Sequence, residues 1–258
     1  ADLTYLQAAA SEISAKLRPG TIVVNKSTVP VGSTHLVEQA LGRSDIPVVS
    51  NPEFLREGTA VDDFLNPDRV VIGSDDQVAA GRVASLYLEV RAPIMVTDPA
   101  SAETCKYAAN AFLATKLSFT NAIAAVCEAV GADVNDVLLG MGYDHRIGHE
   151  FLRPGPGWGG SCFPKDAKAI ISIAEDAGYD FSLMRGVVAV NEEQFERIVG
   201  KVESVADIDG ATVALLGLAF KAGTDDVRES PSLEIARRLI AKGATVRGYD
   251  PAVKSVNM

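Results

Sequence analysis

One cysteine stands in a setting that would suit a nucleophile. Cys162 lies in the stretch GWGGSCFPKD, residues 157–166, between a pair of glycines and Pro164. Proline suits a first helical turn, so we expect a helix to begin near Pro164. A thiol at a helix N-terminus is favoured in its nucleophilic thiolate form, and Asp166 follows within reach to orient water or the thiol. Lys165 near the thiol would favour the thiolate further, unless its side chain points to solvent. The alternative for Cys162 is a buried structural turn.

A pair of carboxylates offers acid–base chemistry. Glu53 and Glu57, in NPEFLREG, are four residues apart. On a helical turn they would share a face, and two neighbouring carboxylates can divide general acid and base work. The alternative is a solvated helix start, where acidic residues are favoured by the helix dipole.

A lysine and an asparagine offer hydrogen-bond donors. Lys106 and Asn110, in CKYAAN, are also four residues apart. Both could stabilise a developing oxyanion. The alternative is an exposed polar stripe on an amphipathic helix. Cys105 and Cys127 are interpreted as small core residues.

The sequence offers little for a metal or a disulfide. His145 and His149, in YDHRIGHE, are separated by Gly148, which interrupts a helix, and no third ligand is evident. We therefore expect surface histidines and no metal site. The three cysteines show no CxxC spacing, which argues against a disulfide framework and favours a reducing compartment.

Composition excludes several partners. The 258 residues carry a formal charge of −10, so nucleic acid and anionic membranes are poor candidates. No uninterrupted apolar run approaches the roughly 20 residues of a membrane span. The opening ADLTYLQAAASEISAKL predicts an amphipathic helix and not a signal peptide. Because the first residue is not Met and the last ones follow a strand-like pattern, we expect part of a longer chain.

Strand-like and helix-like patterns alternate through the first hundred residues. Apolar runs occur at 21–27, 46–52, 69–73 and 94–98, and helical patterns at 4–17, 33–41 and 75–89. This alternation predicts a mostly parallel sheet with covering helices. Ligands bind beyond the carboxyl ends of such strands, so we expect residues 26–28 and 51–53 to border a ligand crevice.

A helical region follows. Residues 100–130 contain neither Gly nor Pro and predict one helix of about 30 residues, with Ser101 as its N-cap and Glu103 in its first turn. Further helices are predicted at 133–141, 165–177 and 185–204. A strand at 211–217, a helix at 231–242 and a strand at 244–251 start a second βαβ unit. We expect domains at 1–98, 99–204 and 205–258.

A dinucleotide fold carries the glycine fingerprint GxGxxG between a strand and a helix, and we find no such strand–GxGxxG–helix arrangement in the sequence. The nearest candidate, Gly217, is followed by Asp250 after 33 residues, against about 20 in the fingerprint. The first segment is therefore interpreted as the second half of a dinucleotide-binding domain.

Five ordered stretches resemble one family, the nucleotide-sugar dehydrogenases of the UDP-glucose/GDP-mannose type. They are KSTVPVGS (26–33), NPEFLREGTAVDDFLNPDRVVIG (51–73), CKYAANAFLATKLSF (105–119), GWGGSCFPKD (157–166) and GLAFKAGTDDVRES (217–230). The resemblance implies an α/β fold in three parts. These are the second half of a Rossmann-like NAD-binding domain, a helical central dimerisation domain with a long helix, and the start of a second Rossmann-like domain for the nucleotide sugar.

The resemblance also implies an activity. Two NAD molecules oxidise a primary alcohol of a nucleotide sugar to an acid, through a thiohemiacetal and a thioester on a cysteine. UDP-glucose fits best, and GDP-mannose or a UDP-N-acetylhexosamine are alternatives. A cytoplasmic homodimer is implied, without nucleic acid or membrane partners. A non-catalytic dimerisation module is the alternative of a different class.

Catalytic roles follow from the resemblance alone. Cys162 would be the nucleophile, and Lys106 and Asn110 would stabilise the charged oxygen. Asp166 would position water or assist proton transfer. Glu53 would act as base in thioester hydrolysis.

Binding roles follow in the same way. Thr28 would share the water network of the base and, with Glu57 and Arg228, contact the cofactor. Arg146 would reach the substrate of the neighbouring subunit. The residues implied in nucleotide-sugar binding are Glu53, Phe54, Leu55, Arg56, Lys106, Asn110, Arg146, Arg153, Gly159, Gly160 and Lys221.

Overall fold

A computed structural model describes residues 3–256 of the chain. The chain divides into two compact units, Ala1–Ala109 and Asn110–Met258, which we call the first and the second unit. One long helix contributes residues to both.

The first unit is an α/β structure. Its elements are α1 (Thr4–Ser14), β1 (Val23–Asn25), α2 (Ser33–Leu41), β2 (Val48–Ser50), α3 (Ala60–Leu65), β3 (Val70–Gly73), α4 (Gln77–Ser85), β4 (Ile94–Thr97) and the beginning of α5 (Pro99–Val130). The strands lie in the order β1-β2-β3-β4. The apolar side chains of β2 and β3 are buried, as expected for strands covered by helices on both faces.

The sheet is mostly parallel, as predicted, with one reversal. β1 pairs with β2 and β3 with β4 in parallel, but β2 and β3 are antiparallel, with Ser50 opposite Gly73. The start of β3 therefore lies at the edge of the sheet where β1 and β2 end. The residues just before β3 reach this edge, which the parallel prediction did not anticipate.

The second unit is mainly helical. After α5 it contains α6 (Val134–Gly142), α7 (Phe163–Asp176), α8 (Ser182–Val205), β5 (Thr212–Leu216), α9 (Pro231–Ala241) and β6 (Thr245–Tyr249). Side chains of α5, α7 and α8 pack around Trp158 in one apolar cluster. A second cluster joins α8 and α9 to the parallel pair β5–β6.

Helix α5 begins earlier than predicted. It starts at Pro99, and the Asp98 carboxylate accepts the backbone N–H of Ser101 at 2.8 Å. Asp98, and not Ser101, is therefore the capping residue. The correction is local, since an aspartate followed by proline satisfies the same N-terminal preferences.

Among the described residues, α5 is the one helix long and apolar enough to cross a membrane by length and composition, a test that core helices also pass. Its buried polar side chains include Glu103, Lys106 and Asn110. Each has a polar or charged partner inside the chain. This pairing is typical of a helix that packs within a protein.

Candidate functional site

Lys106 is buried in the first unit. Its side chain is 5% exposed, and its Nζ lies 3.5 Å from Oε1 of Glu53 and 5.3 Å from the ring centroid of Phe54. The exposed-stripe interpretation of Lys106 and Asn110 is therefore wrong, because both are buried. A buried ammonium beside one carboxylate and one ring face is available to stabilise a developing negative charge.

The segment that carries Glu53 is a loop and not a helical turn. Residues 51–56 are non-helical, Glu57 lies in the turn that follows, and α3 begins only at Ala60. The predicted shared helical face of Glu53 and Glu57 is therefore wrong. The Glu53 carboxylate instead accepts the backbone N–H of Leu55 at 2.6 Å, a local bond that competes with helix formation.

Asp63 fixes the other end of this loop. It accepts the backbone N–H of Arg56 at 2.8 Å and the hydroxyl of Thr59 at 3.0 Å, and the Arg56 guanidinium pairs with the same carboxylate. The hydrogen bonds from Arg56 are the largest cause that lowers the pKa of Asp63 to about 2. The side chain and the N–H of Arg56 thus hold the loop that carries Glu53 to Arg56.

The ends of β1 and β2 meet through polar side chains, as predicted. Lys26 Nζ donates to Oδ1 of Asn51 at 2.9 Å, and the Tyr87 hydroxyl donates to the same oxygen at 2.5 Å. The Asn51 amide donates to the Val71 carbonyl at 2.8 Å. Thr28 follows Lys26 in the loop before α2, so it lies next to this edge of the sheet.

Glu103 is a structural residue that sequence reasoning assigned only to a helix start. Its carboxylate accepts the backbone N–H groups of Gly32 and Thr34 at 2.6 and 2.8 Å and the Thr34 hydroxyl at 2.7 Å. An anion suits the positive end of a helix, and here the chain itself provides it. The contact ties the start of α5, three residues before Lys106, to the start of α2.

Cys162 is the N-cap of α7 in the second unit, with Pro164 in the first turn. The thiol is exposed and its Sγ lies 3.6 Å from the Ser161 hydroxyl. The predicted helix start is confirmed, and the buried-turn alternative is wrong for Cys162. An exposed sulfur at a helix N-terminus is accessible to a substrate.

Asp166 lies one turn after Cys162 and is almost fully buried, with 1% of its side chain exposed. The Asn110 amide donates to Oδ2 of Asp166 at 2.6 Å, and Lys165 Nζ lies 3.4 Å from Oδ1 although most of the Lys165 side chain is exposed. Two sequence-predicted residues 56 positions apart are therefore in direct contact. The pair holds a carboxylate and an amide at the start of α7.

The glycines before Cys162 pack against the chain itself. A Cβ on Gly159 would overlap the carbonyl oxygen of Glu229, and one on Gly160 would lie 2.7 Å from the Phe220 ring. The Gly160 N–H donates to the Arg228 carbonyl at 3.1 Å. The resemblance implies that these two glycines take part in nucleotide-sugar binding. The structure gives them a protein partner, the loop after β5.

That loop also carries predicted binding residues. Lys221 Nζ lies 5.6 Å from the Phe220 ring centroid, and the Arg228 guanidinium pairs with Asp226 at 2.9 Å. Lys221, Arg228 and the Gly160 backbone therefore lie around one ring and one turn. They are brought together by the docking of the two loops.

Two predicted arginines lie apart on the surface of the second unit. The Arg146 side chain pairs with Asp144 at 2.5 Å, and this hydrogen bond lowers the pKa of Asp144. Arg153 is exposed in the loop before α7. Among residues 3–256 no group of three or more side chains is arranged to hold a metal, and the His149 ring packs edge-on against Tyr143.

Three domain descriptions of one family match the chain in order. Residues 1–91 match the NAD-binding domain of the UDP-glucose/GDP-mannose dehydrogenase family, residues 100–193 its central domain and residues 214–258 its UDP-binding domain. The NAD-binding match covers the α/β part that lacks a GxGxxG stretch. The central match includes Lys106, Asn110, Cys162 and Asp166.

Named relatives agree with these matches. The UDP-glucose 6-dehydrogenase TuaD of Bacillus subtilis is 51% identical over 97% of this chain and 56% of its own length. A solved UDP-glucose dehydrogenase from Pyrobaculum islandicum superposes with a TM-score of 0.91 at 44% identity, over 97% of this chain and 60% of its own. The UDP-D-ManNAc dehydrogenase of Pyrococcus horikoshii gives 0.88 at 29% identity, over 98% and 62%. The chain thus spans less than two thirds of the length of these relatives.

Proposed function

Because the chain belongs to the UDP-glucose/GDP-mannose dehydrogenase family, we propose that the complete protein oxidises UDP-glucose to UDP-glucuronate with NAD. The observation that carries the proposal is the exposed Cys162 at the start of α7, one turn before the buried Asp166–Asn110 pair. A free thiol at a helix N-terminus can form the covalent intermediates that a four-electron oxidation needs.

Cys162 would hold the sugar between the two oxidations. The primary alcohol first loses a hydride and a proton to give an aldehyde. The Cys162 sulfur adds to the aldehyde carbon, and the carbonyl oxygen takes a proton, which forms a thiohemiacetal. Loss of a second hydride and a proton gives a thioester. Water then breaks the carbon–sulfur bond and releases the acid and the thiol.

Lys106 and Asn110 would stabilise the oxygen that becomes negatively charged in these steps. They occupy positions one turn apart on α5, and both are buried. Preorganised donors in a water-poor site stabilise a transition state strongly. Asp166, held by the Asn110 amide, would take or return the proton near the sulfur.

Glu53 would act as the general base for the final hydrolysis. Its carboxylate is about one-third exposed, so a water molecule can reach it, and Thr28 would complete the water network. Lys106 Nζ lies 3.5 Å from this carboxylate, so the proposed base and the proposed oxyanion donor are neighbours.

The described residues fit part of an NAD site. Thr28 and Glu57 follow the ends of β1 and β2, the edge at which open α/β sheets bind ligands. The start of α2 is filled by Glu103, so it does not offer a phosphate site. Glu57 would lie against the nicotinamide end of NAD, which accepts the hydride when bound, and Thr28 and Arg228 would also contact the cofactor.

The nucleotide sugar would contact the loop of Glu53 to Arg56 and the loop after β5. Phe54, Leu55 and Arg56 lie in the first loop, and Lys221 lies in the second. Gly159 and Gly160 would contribute by packing against the loop after β5. Arg153 and Arg146 would contribute their exposed cationic side chains.

A homodimer through the central helices is supported by an exposed apolar stripe on α5. Phe112, Phe119 and Val126 recur every seven residues and are 63%, 47% and 56% exposed, and Val130 is 72% exposed. Apolar side chains at this spacing suit packing of one helix against another. We propose that a second copy covers the stripe, in a cytoplasmic enzyme.

The test uses the full-length protein with UDP-glucose and NAD. We expect about two NADH per sugar and UDP-glucuronate as product. Cys162→Ser should abolish acid formation because the thioester cannot form, whereas Cys127→Ala, which removes a buried thiol of α5, should retain it. Acid formation by Cys162→Ala at the wild-type rate would contradict the mechanism.

Another nucleotide sugar is the second candidate. It is favoured by the structural similarity to a UDP-D-ManNAc dehydrogenase. Comparison of kcat/KM for UDP-glucose, GDP-mannose and UDP-N-acetylhexosamines decides between them. For the 258-residue chain itself, an NAD titration tests the non-catalytic alternative, for which we expect weak binding or none.

A further inference from the structure

We propose that Arg69 is a positioning residue for Lys106 and acts through the ring of Phe54. The inference rests on the proposed function, in which Lys106 stabilises the charged oxygen and Glu53 acts as base. Arg69 was not among the residues singled out by the sequence.

The three side chains form a connected set in the first unit. The Arg69 guanidinium carbon lies 3.7 Å from the Phe54 ring centroid, and Lys106 Nζ lies 5.3 Å from the same centroid. The ring therefore contacts one cation closely and faces a second that belongs to the proposed catalytic set.

The reversed strand pairing explains why Arg69 is there. Ser50 of β2 lies opposite Gly73 of β3. Counting four residues forward from Ser50 and four residues back from Gly73, the same antiparallel register brings Phe54 opposite Arg69. In a parallel pairing the residue before β3 would lie at the other edge of the sheet.

The contact to Arg69 fixes the ring. A guanidinium is planar and weakly hydrated, so it stacks on an aromatic face at van der Waals distance. Phe54 lies in a loop, between Glu53 and Leu55, where the hydrogen bonds of a helix or strand do not restrain the backbone that carries its ring. The stack with Arg69 supplies that restraint.

The fixed ring in turn limits how closely Lys106 approaches Glu53. Their nitrogen and oxygen are 3.5 Å apart, whereas a charge-assisted hydrogen bond settles at about 2.7–2.9 Å. A closed pair would neutralise the donor needed at the charged oxygen and occupy the carboxylate needed as base. We infer that attraction to the ring keeps the ammonium off the carboxylate.

Carbodiimide coupling on the 258-residue chain measures this approach directly, since it joins an amine and a carboxylate only when they are in contact. We expect the Lys106–Glu53 amide, quantified by peptide mass spectrometry, to increase about threefold or more in Phe54→Leu and in Arg69→Met. Phe54→Tyr keeps a ring and should match the wild type. Arg82→Met, which removes an exposed arginine of α4, is the matched control.

Arg69→Lys protects the test against misfolding, because it keeps the charge and loses the planar stack; it should give an intermediate increase. Unchanged or reduced coupling in folded Phe54→Leu and Arg69 variants overturns the proposal, as does an equal increase in Arg82→Met.

The same variants in the full-length enzyme give an independent measurement. We expect kcat to fall about tenfold in Arg69→Met with KM for the sugar within about twofold. If the wild type proves inactive, the proposed function fails while the coupling result still decides the positioning. A kcat unchanged by Arg69→Met, despite increased coupling, contradicts the catalytic consequence.

Discussion

The loop of Glu53 to Arg56 in the first unit and the loop just before Cys162 in the second are held in place differently. In the first unit, buried or half-buried carboxylates accept backbone N–H groups. Glu103 holds Gly32 and Thr34, Asp63 holds Arg56, and Glu53 holds its neighbour Leu55.

In the second unit, close packing of glycines does this work. Gly159 contacts the Glu229 carbonyl, Gly160 the Phe220 ring and Gly157 the Phe195 ring, each too closely for a Cβ. These contacts hold the loop just before Cys162. Carboxylates also accept backbone N–H groups elsewhere in this unit, as Asp250 does from Leu218 and Ala219. Asp166, a buried carboxylate, pairs with an amide side chain.

The two kinds of contact should be sensitive to different changes, one to pH and the other to added side-chain volume. Bonds to carboxylates depend on protonation, so the loops that they hold should respond to pH. Glycine packing does not depend on charge but tolerates no added methyl group. The four predictions that follow test this division.

The largest effect is expected at the buried hydrogen bond between Asn110 and Asp166 in the second unit. Asn110→Ala removes the amide that donates to Oδ2 of the buried Asp166 carboxylate at 2.6 Å and leaves the ion pair with Lys165, 3.4 Å from Oδ1. We expect a loss of about 3–5 kcal/mol in the free energy of unfolding, measured by urea denaturation.

Asn66→Ala is the matched control, because Asn66 donates to Asp62 at 3.0 Å on the surface; its loss should stay within about 0.5 kcal/mol. Equal losses of unfolding free energy in the two variants would show that the burial of Asp166 does not determine the cost of removing its amide donor.

Glu103→Ala tests the carboxylate contact of the first unit. Two backbone donors and one hydroxyl lose their acceptor in a buried position, so we expect a loss of about 2–4 kcal/mol by urea denaturation. Glu103→Gln keeps one acceptor oxygen and should lose about half as much. A larger loss for Gln than for Ala would contradict this account.

Gly159→Ala tests the steric contact of the second unit. The new methyl group overlaps the Glu229 carbonyl, so we expect a loss of about 2–3 kcal/mol in urea denaturation. Gly155→Ala is the control, since no heavy atom lies within 4 Å of its Cβ position. A Gly159→Ala protein as stable as Gly155→Ala would show that the loop shifts to accommodate the added methyl group.

The smallest effect concerns pH. The Asp63 carboxyl has its pKa lowered to about 2, chiefly by hydrogen bonds from Arg56. Because the folded-state pKa is depressed, the stabilisation is complete above about pH 4 and is lost as the pH falls toward about 2. Arg56 is largely exposed, so solvent screening limits this stabilisation to about 1–2 kcal/mol.

Denaturation of wild type and Asp63→Asn at pH 7 and pH 3 measures this contribution. We expect the difference between the two proteins to shrink at pH 3. A constant difference would mean that Asp63 acts through shape alone.

Local features of the sequence predicted much of the fold. Helix α2 was predicted at its observed bounds, and the strand cores lie inside the predicted runs. The helix start beside Cys162 followed from Pro164. These predictions succeeded because periodicity and capping depend on neighbours within a few residues.

One failure was local and another was a contact between distant residues. The segment after β2 was predicted as a helical turn, but Glu53 accepts the N–H of Leu55, and Asp63 of α3 accepts that of Arg56. Glu103 was assigned to the first turn of its own helix. Its carboxylate also binds Thr34 at the start of α2, 69 residues earlier in the chain. The catalytic and binding roles of the site residues stay predictions.

The sequence by itself determined the family, the alternation of strands and helices, and the position of one cysteine at a helix start. The tertiary structure decided which side chains are buried and what they contact. It placed Arg69 on Phe54 through the reversal of β3, and it held Lys106 3.5 Å from Glu53. The physical reason is that burial and pairing depend on which strands and helices meet, and strand direction is set by packing across the sheet rather than by the residues of one strand.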